Sequence, residues 1–356
     1  MIRRDGLDKL TGQVRYLADT PASDCWWGGT VRSPTARGRI RAIQFDPAIN
    51  WTEFVVVDHR DIPGKNAGAL FDDRQPVLAV DHVNHQHEPI LLLAHPSKRA
   101  LRHALAGIEV VIDPLPAALD FSADPTSGFT QLGDRNMFCE VAWVKGDPDA
   151  VLRASGLVVE GSYQTGGQEH YYLEPQGMEA SLEDGVMVVR GSLQCPFYVR
   201  DALGQVLNRP SAGVRVIATP MGGGFGGKED YPSMIAAHAA LLALRSPRPV
   251  RLLYDRHEDL AATTKRHPAR TRYRTAVSPD GELRAMQIDL LFDGGAYATL
   301  SPIVLERAAL HATGAICGAA RHGARSVLSH GRFRSLAEFL RTDAHDDARD
   351  ERGENG

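Results

Sequence analysis

Short apolar runs punctuated by Asp, Pro and Gly dominate the first third of the chain. Phe54–Val57, Val77–Val80 and Ile90–Ala94 have the length and residue types of strands. Pro96–Ala106 has helix-forming composition behind a proline start, so this region is mixed α and β. Further on, Glu140–Val144, Gly156–Tyr163 and Val186–Val189 predict three more strands. From Pro196, Val199, Leu203, Val206 and Leu207 recur at helical spacing until Arg209-Pro210 ends the pattern. Val214–Thr219 then predicts a strand, and the Ala-rich run Ser233–Leu244 a buried helix, with the glycine-rich MGGGFGGKED between them. Thr271–Val277 and Leu283–Leu291 flank Ser278-Pro279-Asp280-Gly281, whose turn chemistry predicts a hairpin.

The pattern breaks twice. Asp120–Asn136, rich in Ser, Asp, Pro, Thr and Gly, reads as a linker and sets a domain boundary. From Ala315 onward Arg, Ala, Gly, His and Asp replace any periodicity, which predicts a poorly ordered tail over 315–356. A chain of 356 residues with 43% hydrophobic and 24% charged residues has the composition of a soluble globular protein, long enough for two domains. The formal charge of -4 argues against a general polyanion binder, so nucleic acid is not an expected partner. Cys25, Cys139, Cys195 and Cys317 form no CxxC pair, which removes zinc-ribbon and iron-sulfur readings and fits a reducing cytoplasm. No run approaches the roughly 20 apolar residues of a membrane span, and the start lacks a signal-peptide core. The expectation is a soluble cytoplasmic protein with no membrane association.

The glycine loop admits three readings. Gly222–Lys228 satisfies GxxxxGK, but Glu229 stands where a phosphate loop needs Ser or Thr, and a carboxylate there repels phosphate. Gly222, Gly224 and Gly227 satisfy GxGxxG, with Asp255 beyond; that spacing is longer than the usual roughly 20 residues of a dinucleotide fingerprint. The third choice lies between close packing by permissive glycines and main-chain binding of a bulky ligand. His82, His85, His87 and Glu88 are suitable zinc ligands by type, yet their spacing matches no standard site, and a structural role is preferred. The charged residues Arg256–Asp259 and Lys265–His267 read as solvated or structural faces, and His170 and Glu174 as structural neighbours.

Three segments together, GGQEHYYLEPQ at 166–176, MGGGFGGKE at 221–229 and DRHEDLAATTKRHP at 255–268, resemble the molybdenum-cofactor-binding large subunit of the xanthine dehydrogenase and xanthine oxidase family. The opening DGLDKLTGQVRYLAD, and DGGAY at 293–297 followed by LERAALHATG, extend the resemblance over about residues 5–314. It implies an α+β fold: an a/b hammerhead domain over 1–125, the first molybdopterin-cofactor-binding domain over 135–314, and no second cofactor-binding domain.

The resemblance also implies residue roles. Gln168 matches the residue that hydrogen-bonds an oxo ligand of molybdenum, and Gly224, Phe225 and Gly226 match the loop beside the metal, which is itself held by the pterin dithiolene rather than by protein ligands. Glu229 matches the carboxylate that contacts a purine, a position apolar in aldehyde-oxidising relatives. The implied reaction is oxidative hydroxylation of a purine or other N-heterocycle, with electrons passed to 2Fe-2S clusters and FAD on partner subunits. The family's catalytic base and an AFRG segment have no counterpart after Gly314, where the match fails abruptly. The expectation is therefore a truncated member, inactive alone, with a noncatalytic assembly module, an aldehyde or other heterocycle hydroxylase, or a nucleotide-binding dehydrogenase as alternatives.

Overall fold

Turn residues cut the chain into many short elements. Residues 5–22, 24–68, 74–117, 119–121, 137–313 and 326–334 are described by the computed structural model. In chain order these begin with α1 (Gly6–Leu10), β1 (Trp26–Arg32), β2 (Gly38–Phe45), β3 (Val55–Val57), β4 (His82–Val83), β5 (Pro89–His95), α2 (Lys98–Ala106) and β6 (Ile108–Pro114). There follow β7 (Met137–Lys145), α3 (Pro148–Ala154), β8 (Val158–Thr165), β9 (Gly177–Glu183), β10 (Val186–Gly191), α4 (Pro196–Val206), β11 (Val214–Ala218) and α5 (Pro232–Arg245). The last are β12 (Val250–Leu253), α6 (Arg256–Ala262), β13 (Ala269–Val277), β14 (Leu283–Asp293), α7 (Ser301–His311) and β15 (Ser326–Arg334).

Local chemistry accounts for the main elements. Every residue of β5 is buried, as a continuous PILLLAH run requires of a central strand. Ser97 caps α2 by accepting from the Ala100 amide at 3.3 Å. Pro232 opens α5, whose next eleven residues are all buried, so this helix is apolar on all sides and forms the middle of the core. The β13–β14 hairpin closes through Gly281, at φ 83°, donating to the Ser278 carbonyl at 2.9 Å.

The fold is α+β, with three sheets. A seven-stranded sheet runs β11-β10-β9-β12-β1-β5-β3, and a three-stranded sheet β4-β2-β6 lies in the first region. The five-stranded sheet β7-β15-β14-β13-β8 belongs to the second. The large sheet draws on both sides of the boundary expected near 125–135, because β1 pairs parallel with β12, Trp26 opposite Val250. The main core is shared accordingly: Val57, Leu78 and Leu92 pack with Met178, Leu203 and Leu241. A smaller core, Val31, Leu91, Leu93 and Leu101, lies under α2.

Two expectations are corrected. Val77–Val80 is not a strand: Val77, Leu78 and Ala79 are buried as irregular chain, because the Asn66 carboxamide accepts from the amides of Val77 and Leu78 and donates to the Leu78 carbonyl. Those bonds take the place of a ladder. Within the tail expected to lack order, Ser326–Arg334 is a strand, its main chain pairing parallel with β14 and antiparallel with β7 and so filling the slot between them. The rest of that tail, 315–325 and 335–356, lies outside the described residues, as do 122–136 of the expected linker. No helix among the described residues is long and apolar enough to cross a membrane.

His238, fully buried on α5, carries a testable consequence. Its Nε2 bonds the Val77 carbonyl at 3.0 Å, and burial lowers its pKa from 6.5 to about 3. Because the unfolded state binds the proton first, the stability this provides is complete above pH 6.5 and is lost as pH falls towards the folded value. Urea midpoints of wild type and His238→Gln are expected to diverge, with wild type losing about 2 kcal/mol more between pH 7 and pH 5.

Candidate functional site

The glycine loop leaves β11 and lies flat over a platform built by residues 170–176 and 192–194. Its glycines face that platform. A Cβ on Gly227 would stand 2.7 Å from Tyr172 and 2.8 Å from His170; one on Gly222 would meet Glu174 at 2.6 Å, and one on Gly224 would meet Gln194. The scaffold thus uses the missing side chains to come up beneath the main chain, and close packing explains these three positions. Gly223 and Gly226 serve conformation instead, at φ 107° and 94°, and between them Phe225 is held at φ 52° with its ring 75% exposed. A bulky residue in the left-handed region, displayed to solvent, is held there by its surroundings.

Three polar anchors hold the loop. Glu174 Oε2 accepts from the Gly222 amide at 2.7 Å and the Ser192 hydroxyl at 2.6 Å, and pairs with Lys228 Nζ at 3.2 Å. Lys228, wholly inaccessible to solvent, also donates to the Glu174 carbonyl at 2.7 Å and to Ser192 Oγ at 2.9 Å, and lies over the Tyr172 ring. Both ends of the loop therefore meet one carboxylate. Gln194 Oε1 accepts from the amides of Gly226 and Lys228, and Gln176 Nε2 donates to the Gly227 carbonyl at 2.8 Å. Burial holds the Lys228 ammonium below its ordinary pKa, an effect the Glu174 charge opposes.

The first and third motifs meet around Asp259, which is fully buried on α6. It accepts from Tyr172 OH at 2.8 Å and from the Gln176 amide at 2.6 Å, while desolvation raises its carboxyl pKa. Arg256 donates to the carbonyls of Tyr172 and Leu173, and Glu258 takes Arg32 of β1 at 2.9 Å. These α6 charges are structural and directed inwards, which corrects the solvated half of the sequence reading. Gln168 pairs with Arg266 in an isolated antiparallel bridge: its amide donates to the Arg266 carbonyl at 3.3 Å, and the Arg266 amide donates back at 2.9 Å. The Gln168 side chain is exposed, and Glu229 is half-buried beyond Lys228. Neither carboxamide nor carboxylate has a hydrogen-bond or ion-pair partner among the described residues. His170 packs under Gly226 and Gly227, and burial lowers its pKa.

Two rival readings fail on this geometry. Lys228, which a phosphate loop would extend to its nucleotide, is committed inwards, and Asp255 caps α6 by accepting from the Glu258 amide at 2.8 Å. The loop also does not open α5 directly: Gly227 is separated from the helix start at Pro232, which has no amide to offer. In the histidine cluster, Glu88 is buried and accepts from Tyr297 OH at 2.6 Å and the Asn84 amide at 2.5 Å, tying the first region to DGGAY. Among the described residues, no group of three or more His, Cys, Asp or Glu is placed to hold a metal ion.

A family model described as the molybdopterin cofactor-binding domain matches residues 129–327, and one described as the aldehyde oxidase and xanthine dehydrogenase a/b hammerhead domain matches residues 11–116. The chain belongs to this family of molybdenum oxidoreductases. Among its relatives, the nicotinate dehydrogenase large molybdopterin subunit of Eubacterium barkeri is 31% identical over 317 residues, covering 88% of this chain and 74% of the relative. A probable xanthine dehydrogenase subunit of Bacillus subtilis is 32% identical over 88% of this chain, which spans 42% of that relative's length. The aldehyde oxidoreductase of Desulfovibrio gigas superposes with a TM-score of 0.82 at 24% identity, over 95% of this chain and 38% of that one.

The described residues fit the cofactor that the family implies. The outer side of Gly222–Gly227 presents main chain and the Phe225 ring, which suits a large polar group lying along it, and the Gln168 carboxamide stands uncommitted. Sequence reasoning missed Lys228, Gln194, Ser192 and Gln176. Lys228 is visible in the sequence only as a phosphate-loop lysine and Gln176 only as the last residue of the first motif, while Gln194 and Ser192 carry no local signal.

Proposed function

We propose that this chain is the molybdopterin-binding subunit of a xanthine dehydrogenase-type hydroxylase acting on a neutral purine or related N-heterocycle. One observation carries the reading. In a site where Glu169, Glu174, Glu258 and Asp259 are all committed to partners, Glu229 and Gln168 are left with uncommitted side chains on clamped main chain. Polar groups held ready without partners are what a recognition site requires.

When bound, the molybdenum cofactor supplies the two-electron redox chemistry of hydroxylation. The chain's own residues do the rest. The main chain of Gly224, Phe225 and Gly226 would lie beside the cofactor, and the Gln168 carboxamide would hydrogen-bond a ligand of its metal. Glu229 hydrogen-bonds a ring nitrogen or exchanges a proton with it as charge develops there. An anionic pyridine such as the nicotinate named for the Eubacterium barkeri relative would be repelled by an ionised Glu229, which favours a neutral heterocycle.

Electrons are proposed to leave to 2Fe-2S and FAD groups on partner subunits, in the cytoplasm. A protein partner at this face is supported by its rim: the six most exposed large apolar side chains among the described residues are Leu10, Leu173, Phe225, Leu7, Tyr171 and Phe197. Phe225 is on the loop, Tyr171 and Leu173 are on its platform, Phe197 follows Gln194 by three residues, and Leu7 and Leu10 are on α1, whose Lys9 Nζ donates to the Met221 carbonyl at 3.1 Å. Exposed apolar side chains near one loop support an interface there.

The test is elemental molybdenum content together with dye reduction driven by xanthine, nicotinate or an aldehyde, on the chain coexpressed with cofactor-biosynthesis factors and candidate partner subunits. Glu229→Ala is expected to lower xanthine turnover about 10²-fold at unchanged metal content. Equal loss of both would remove the substrate role. Aldehyde turnover that ignores Glu229 would favour an aldehyde hydroxylase, and partner binding without metal an assembly module.

A further inference from the structure

Gln168 is exposed, yet the two residues on the far side of its bridge, Glu169 and Lys265, are not. Glu169 and Lys265 form an ion pair at 2.6 Å with side chains 12% and 7% exposed. Glu169 Oε1 also accepts from the amides of His170 at 3.0 Å and Tyr171 at 3.4 Å, fixing the turn that follows Gln168. Lys265 Nζ donates to the Thr263 carbonyl at 2.9 Å and Thr263 Oγ1 at 2.8 Å, and Thr263 Oγ1 donates in turn to the Asp259 carbonyl at 2.7 Å. The pair thus links the Gln168 segment to the end of α6, whose Asp259 also holds Tyr172 and Gln176 beneath the glycine loop.

A two-bond bridge is a weak fixture for a side chain that must stay in place without contacts of its own. The bridge continues the register of the β8–β13 ladder, whose last pair is Thr165 with Ala269, but it lies three residues beyond that ladder's end, past Gly166 and Gly167, where paired backbone opens most readily. The ion pair lies one residue beyond Gln168 on one strand and one residue before Arg266 on the other, so it closes the bridge on the side away from the ladder. We infer that Glu169 and Lys265 are positioning residues, a buried staple that holds Gln168 paired with Arg266 beyond the end of the ladder and so sets the direction of the Gln168 carboxamide. The inference rests on the role proposed for Gln168. It adds that the third motif, DRHEDLAATTKRHP, supplies through Lys265 the aim of the residue in the first.

The closure of the bridge can be read without cofactor, by residue-resolved amide exchange on the full chain. Lys265→Met alone strands a carboxylate and can fail to fold; the double variant Glu169→Gln with Lys265→Met leaves a neutral pair, and Lys265→Arg keeps the charge. The double variant is expected to exchange the Gln168 and Arg266 amides at least tenfold faster than wild type, with the Ala269–Val277 ladder unchanged, and Lys265→Arg is expected to restore wild-type protection. Unchanged exchange at the two bridge amides would overturn the staple, and so would equal acceleration through β13, which would make the pair a general scaffold element. In the cofactor-loaded enzyme the double variant should reproduce the altered Mo(V) electron paramagnetic resonance signal of Gln168→Ala. If Gln168→Ala leaves that signal and metal content untouched, the role of Gln168 falls, while the exchange result still judges the staple.

Discussion

Lys228→Met is expected to destabilise the protein by about 3–5 kcal/mol, among the largest effects available from one side chain. The lysine is inaccessible to solvent and its ammonium is shared among the Glu174 carbonyl, the Glu174 carboxylate and Ser192 Oγ. Methionine matches its length and tolerates the apolar Tyr172 face, so what is lost is electrostatic rather than volume. What remains is a carboxylate 14% exposed with its cation gone, and only the Gly222 amide and Ser192 hydroxyl to satisfy it. The decisive comparison is the double variant Lys228→Met with Glu174→Gln, in which the carboxamide oxygen can still accept from Gly222 and no charge is stranded. Urea unfolding is expected to return most of the lost stability in the double variant. If the double variant is as unstable as the single one, Lys228 acts through packing and the ion pair contributes little.

This lysine also marks the limit of what the sequence makes legible. Elements defined by neighbours a few residues away can be read directly: the all-apolar run becomes β5, the Ala-rich run becomes α5, and the Pro-Asp-Gly turn closes the β13–β14 hairpin. Elements defined by distant partners cannot. Gly28 and Gly29 sit inside β1, where glycine ordinarily weakens a strand, and the methyl ends of Leu252, Leu242 and Leu105 fill the space beside them. Val77–Ala79 has the residues of a strand and is diverted by Asn66, eleven or more positions earlier. The three site motifs could be found, since each is dense in unusual residues, and Gln168 and Glu229 keep free side chains in the folded chain. Why they are free is a property of Glu169, Lys265, Glu174 and Lys228, and nothing local in the sequence pairs those charges.

The same distinction separates two adjacent glycines. Gly226→Ala and Gly227→Ala are expected to fail for different reasons and by different amounts. At Gly226 the added methyl finds room, with the nearest atom, on His170, 3.7 Å away, but φ 94° is foreign to alanine. The expected cost is about 1–2 kcal/mol of backbone strain, relieved if the loop relaxes. At Gly227 the methyl would enter at 2.7 Å from Tyr172 and 2.8 Å from His170. Tyr172 cannot give way cheaply, because its hydroxyl bonds Asp259 at 2.8 Å and receives Gln176 at 3.1 Å, and Gln176 in turn holds the Gly227 carbonyl. The loop must therefore lift off its platform, breaking that bond and the Gln194 contacts beside it, for about 3 kcal/mol or more of overpacking and lost bonding. Denaturant midpoints separate the two costs, and molybdenum content separates their consequences. Gly226→Ala is expected to retain part of the cofactor, while Gly227→Ala is expected to retain almost none, since the main chain that would lie along it no longer has its shape. Equal cofactor retention in the two variants would mean that the platform beneath the loop does not set the form in which the cofactor is held.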